Sequence, residues 1–153
     1  AHLQDCIEAS PSIIHNNIEE VETSLNITLK NEPEKLSLLN NFYSKGIKQV
    51  FITNGRHPFY SSNFDFHYKV TVPKIEVADS TGSGDSFVAG IAYGWHNKLT
   101  FEEQLAFATA LAVKNAETLN TSSVEKYETQ SILDLIGIDQ VGKKLKIIND
   151  KPD

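Results

Sequence analysis

The chain carries one cysteine, no methionine and one tryptophan in 153 residues. A lone thiol, Cys6, cannot close an internal disulfide, so the fold must rest on its core, and a reducing, cytoplasmic setting is expected. No run of 18 apolar residues occurs, which predicts no membrane-spanning helix. Residues 1–12 hold Asp5 and Glu8 and lack a long apolar stretch, unlike a secretory leader. The chain opens on Ala1 rather than methionine, in text that reads like the tail of a helix, as an excised domain or a cleaved product would. Positive charge is also short: 14 Lys and Arg against 20 Asp and Glu leave a formal net charge of -6. That balance disfavours nucleic acid and anionic membranes as partners. CxxC, HExxH and GxSxG patterns are missing, as are repeats and low-complexity tracts.

What is present is a globular composition and one glycine-rich turn. The stretch Asp79-Ser80-Thr81-Gly82-Ser83-Gly84-Asp85-Ser86-Phe87 follows Val72, Ile75 and Val77 and precedes a small-and-apolar helical pattern ending at Trp95. That order reads as strand, glycine turn, helix. Such a turn leaves backbone N–H groups free at a helix N-terminus, where partial positive charge favours a phosphate. It is not a Walker A loop, since no GK[ST] follows, and it lacks the third glycine of the dinucleotide fingerprint. Two glycines still let several N–H groups converge on negative charge spread over a transferring phosphoryl group. Asp85, within reach of an incoming hydroxyl, would take its proton. A plain structural turn is the alternative.

Elsewhere the spacing gives an ordered set of elements. Residues 1–10 read as a helix with Leu3, Cys6 and Ile7 on one side, ended by Pro11. Residues 12–15 read as a buried strand. Asn16 or Asn17 then caps a helix with Ile18, Val21 and Leu25 on its face. Asn17 and Glu20 admit two readings, a helix cap or a polar pair holding waters about a metal. A helix over Leu36, Leu39 and Phe42 ends at Gly46, and Val50-Phe51-Ile52 is a buried strand. Helix, glycine, apolar strand and polar turn is the grammar of a parallel α/β sheet, with ligands at the carboxyl ends of its strands. Thr53-Asn54-Gly55-Arg56 is therefore a second site segment or a hairpin turn. Residues 59–60 and 64–70 read as short strands whose aromatics pack in the core, and His57 and His67 as ordinary surface or edge residues. Thr100 with Glu103 marks a capping box before a helix running to Leu119. Beyond it, Leu133 to Ile138 and residues 141–148 read as a short helix followed by a strand or by coil.

The glycine stretch resembles the signature D-T-x-G-A-G-D-x-F of the ribokinase-like sugar kinases, the PfkB carbohydrate kinase family. Pro11-Ser12-Ile13-Ile14-His15-Asn16-Asn17-Ile18-Glu19-Glu20 is similar to that family's P-x-x-I-K-P-N-x-x-E. The resemblance covers residues 1 to about 125. It implies a Rossmann-like layered α/β domain and a partial ribokinase-like fold, the C-terminal ATP-binding portion. The N-terminal sugar-binding half and its lid lie outside these residues.

By the same resemblance Asp85 is the catalytic base, and Gly82, Ser83 and Gly84 form the anion hole. Asn17, Thr53, Asn54, Gly55, Ala112 and Asn115 contact the nucleotide. Glu20, with Asn17, holds Mg2+ through water. ATP and Mg2+ are the implied cofactors, with room for a monovalent cation. The acceptor is a sugar phosphate of the tagatose 6-phosphate or fructose 1-phosphate type, and the fragment alone should be inactive. The expected partners are the N-terminal half of the same protein and, through an exposed apolar edge, a second copy. The sequence departs from the family pattern in two places. His15 and Asn16 replace a lysine and a proline, and residues 53–58 end in Pro58 where a second glycine is usual. These departures motivate the rival reading, a non-catalytic nucleotide- or anion-binding regulatory module of the same fold.

Overall fold

The computed structural model describes residues 2–119, 124 and 126–144. The chain runs α1 (Leu3–Glu8), β1 (Ile13–Asn17), α2 (Ile18–Leu25), α3 (Glu32–Ser44), β2 (Gln49–Thr53), β3 (Phe59–Ser62), β4 (Phe66–Thr71), α4 (Ser83–His96) and α5 (Phe101–Glu117). A 3-10 turn (Lys126–Thr129), α6 (Gln130–Leu133) and β5 (Gly137–Lys143) complete it. The five strands lie in sequence order in one sheet. Helices cover both faces. α1, α2 and α3 pack with Ile14, Val50 and Ile52 on one side. α4 and α5 pack with Phe51, Phe59, Tyr68 and Val70 on the other. The alternation of Val50, Phe51 and Ile52 between the two clusters is the period of two that a strand buried on both faces requires.

The layered α/β expectation holds, but the sheet is mixed. Only β1 and β2 are parallel, and β2–β3, β3–β4 and β4–β5 are antiparallel. Residues 54–58 are too few for the crossover that a parallel connection needs, so β2 turns straight back into β3. The strand expected ahead of the glycine turn is absent: residues 72–82 leave the sheet after β4. Pro73 has no N–H for a ladder, and the segment packs Val72 and Ile75 against the α5 side instead. His67 is also not a surface residue. It is 2% exposed, with Nε2 2.9 Å from Asn40 Oδ1 on α3. Cys6 is exposed, while Leu3 and Ile7 are buried. Residue 141, expected to open a last element, lies inside β5, and residues 145–148 fall outside the described residues.

The small residues of α4 allow close approach to α5. A Cβ on Gly90 would lie 2.5 Å from Ala108 Cα, and one on Gly94 would lie 2.7 Å from Gln104 Cγ. Gln104 Nε2 donates to the Ile91 carbonyl at 2.7 Å, so the contact is polar as well as tight. This pairing fixes where the N-terminus of α4 points.

Candidate active site

Among the described residues four helices have eight residues or more, and three of these are capped by a side chain. Asn17 Oδ1 accepts the Glu20 N–H, Asn31 Oδ1 accepts the Glu34 N–H, and Thr100 Oγ1 accepts the Glu103 N–H. α4 alone has no side-chain cap. Its N-cap is Gly82 at φ 77, a left-handed backbone that favours glycine. Ser83 N–H bonds Ser80 O at 3.1 Å, and Ser86 N–H bonds Gly82 O at 2.9 Å. The N–H groups of Gly84 and Asp85, between them, meet no carbonyl or side chain among the described residues. Those are the donors that an anion at a helix N-terminus uses.

The turn is held from behind. Asp79 Oδ1 accepts the Thr81 N–H at 2.8 Å. The N–H groups of Ala78 and Asp79 both reach Ala116 O, at 2.8 and 3.2 Å. Asn115, fully buried, donates through Nδ2 to Thr81 O at 2.8 Å and to Ser83 Oγ at 3.2 Å. Asn115 thus braces the turn from α5, a role that sequence spacing did not show. In front, Phe87 stacks on His15 with ring centroids 5.2 Å apart and meets Phe51 and Phe59 edge-on. The aromatic contacts seat the start of α4 over the carboxyl ends of β1 and β2, where Asn17 and Thr53 are register partners.

Between these walls lies a slot of about 160 Å³. Thr53, Gly55, Ser83, Gly84 and Ala112, all expected site residues, line it. Ala116, Val113 and Thr109 continue the α5 wall, and Val72, Ile75 and Val77 close it from the segment that left the sheet. Helical spacing from Ala112 could have found the α5 residues. The three from the extended segment were masked by their reading as a strand. Asn54 and Asp85 each follow a slot residue directly without lining it, and Gly82 caps the helix beside it. The size and lining suit a flat apolar ring at one end and a charged group at the uncapped helix start.

Asn17 and Glu20 stand on the other side of His15, along an open groove of about 930 Å³ beside β1. They form both halves of a capping box: Glu20 Oε2 accepts the Asn17 N–H at 3.0 Å and Asn16 Nδ2 at 3.1 Å. Those bonds, the Asn16 amide first, hold the Glu20 carboxyl below its ordinary value. An exposed carboxylate kept ionised this way fits a hydrated Mg2+, a hard cation that keeps most of its waters. His15 feels the charge of both Glu20 and Asp85. Burial lowers its pKa, while Glu20 and Asp85 pull the other way. Its Nε2 is 3.3 Å from Thr53 Oγ1. A titratable imidazole whose net shift is downward thus stands where the family pattern has the fixed positive charge of a lysine.

A mixed sheet between two helical layers is the ribokinase-like fold, and the solved structures share it. The chain belongs to the pfkB family of carbohydrate kinases, whose family model matches residues 1–127. A Staphylococcus aureus protein assigned as a phosphofructokinase superposes with a TM-score of 0.82 at 21% identity, over 93% of this chain and 46% of its own. Phosphofructokinase-2 from Escherichia coli, solved with potassium, gives 0.78 at 18% identity, over 87% and 44%. An E. coli protein assigned as ribokinase II, solved with ATP and Mg2+, gives 0.71 at 18% identity, over 87% and 42%. The chain thus spans less than half the length of each of these structural relatives.

Proposed function

We propose that the protein carrying this chain transfers a phosphoryl group from ATP to a hydroxyl of a sugar phosphate. The observation that supports this most is the bare N-terminus of α4, with unpaired N–H groups at Gly84 and Asp85, in a chain that caps its other long helices. Gly82, Ser83 and Gly84 form the anion hole for the transferring group, and Asp85 accepts the proton of the attacking hydroxyl. Thr53, Asn54 and Gly55 face the nucleotide phosphates, and Ala112 lies along the nucleobase. Asn115 serves the nucleotide by bracing the turn. Asn17 and Glu20 hold Mg2+ through water, and bound Mg2+ would neutralise charge on the phosphates. The acceptor belongs to the tagatose 6-phosphate or fructose 1-phosphate class. It is held by the sugar-binding half of the same protein, beyond the residues described. The open edge of β1 is the place for that half, or for a second copy.

Replacing Asp85 with Asn tests the assignment. In the full-length protein, Asp85→Asn should lower kcat by about 10²–10⁴-fold with ATP affinity little changed. Activity that survives removes Asp85 as the base. Absence of turnover by the folded wild type, on a panel of phosphosugars with ATP and Mg2+, would favour the regulatory-module reading. His15, standing where the family pattern has a lysine, is the observation behind that second reading.

A further inference from the structure

The chain has a single arginine, Arg56, and it is the one charged residue among those lining the slot. The rest of the lining is glycine, hydroxyl, aliphatic or aromatic. Arg56 is exposed, and no carboxylate of the described residues lies within ion-pair distance of it. In a chain of net charge -6, an unpaired guanidinium facing a neutral slot is a charge without an internal partner. Its backbone setting explains why a side chain is needed there. The turn from β2 to β3 has Gly55 at φ 54, His57 N–H spent on Asn54 O at 3.0 Å, and Pro58, which has no N–H. The far end of this turn therefore cannot offer a cradle of backbone donors. The opposite wall, at Ser83 and Gly84, carries the helix N-terminus.

We infer that Arg56 is a nucleotide-phosphate clamp, closing on the terminal phosphates from the β2–β3 turn while the start of α4 holds them from the opposite wall. The inference rests on the kinase reading of the slot and adds to it the residue that distinguishes nucleotides by phosphate number. The guanidinium fork suits this task, because it can engage two phosphate oxygens at once while its charge never titrates away. Lysine in the same place would supply charge without the fork.

The test uses the full-length protein and its Arg56→Ala and Arg56→Lys variants. Calorimetry with ADP and with adenosine reads the clamp without turnover. Steady-state kinetics with varied ATP-Mg reads it in catalysis. Arg56→Ala should weaken ADP binding and raise KM for ATP by about 10- to 100-fold, leave adenosine binding unchanged, and weigh on KM more than on kcat. Arg56→Lys should recover only part of that loss. An ADP-over-adenosine preference identical in wild type and Arg56→Ala, with both proteins folded by circular dichroism, overturns the clamp while leaving the kinase reading intact. Loss of ADP preference in Arg56→Ala, in a wild type that phosphorylates no sugar, keeps the clamp and removes the kinase reading.

Discussion

At the scale of single residues, some buried polar groups shape the site and one pair stands apart from it. Asn115 is of the first kind. Its amide holds the Thr81 carbonyl and the Ser83 hydroxyl from inside the protein. Asn115→Ala would remove two part-buried hydrogen bonds, at a cost of about 0.5–1.5 kcal/mol each. A lowered midpoint in thermal unfolding is expected, together with weaker ADP binding, and an unchanged midpoint would refute the bracing role. His67 and Lys144 form the pair. Burial and the nearby Lys144 charge press His67 down to about 4, and burial presses Lys144 to about 8. Lys144 Nζ sits 3.9 Å from the centroid of the Tyr43 ring, and His67 Nδ1 is buried without a partner. An unfolded histidine titrates near its ordinary 6.5, so between that value and about 4 the unfolded chain binds the extra proton. Stability from neutral His67 is thus complete above pH 6.5 and drains away as pH falls toward 4. Urea midpoints followed from pH 7 to pH 4.5 should decline less steeply in His67→Asn than in the wild type. Parallel declines would mean that other groups carry the acid sensitivity.

The packing of α4 on α5 is the critical contact at the scale of elements. Ala108 is met through its backbone, so a methyl added at Gly90 has no flexible neighbour to displace. Gly90→Ala should force the helices apart and lower stability by about 1–3 kcal/mol, read from urea unfolding. A neutral result would mean that the helices can slide without loss. Much of this layer was legible beforehand. The capping boxes at Asn17 with Glu20 and Thr100 with Glu103 are local in sequence, as is the small-residue helix behind the glycine turn, and both survive intact. The direction of β3 and the absence of a strand at residues 72–77 were harder to read. Strand direction depends on connection length and partners far along the chain. Alternating valines and isoleucine look the same in a sheet and in an extended wall over α5. Only Pro73 hinted at the difference. The site divides in the same way. Slot residues beside a glycine announced themselves, whereas Asn115 drew notice for a nucleotide contact, and its bracing bonds appear only once α5 is folded against the turn.

At the scale of the whole molecule, the slot and the open groove separate two tasks. Apart from Asn17, the groups proposed to hold the nucleotide lie at the end of β2 and the turn after it, at the start of α4 or on α5. The groove of about 930 Å³ beside β1 borders His15, Asn17 and Glu20, yet among the described residues the sheet ends there, with β1 paired on one side only. In the proposed reaction the acceptor would need a wall on that side, and the S. aureus relative is more than twice as long as the stretch it shares with this chain. Holding two reactants in line is worth an effective concentration of about 10⁵–10⁸ M, and a chain that fixes only the nucleotide forgoes it. The 153-residue chain on its own should therefore bind ADP in calorimetry and release almost no ADP from ATP in a coupled assay with phosphosugars. If, as proposed, a sugar-binding half completes the site, the chain's rate should lie at least about a thousandfold below that of a protein carrying both halves. Comparable rates from the two would mean that the acceptor site is already built within α1, β1 and α2, and that the groove itself holds the sugar.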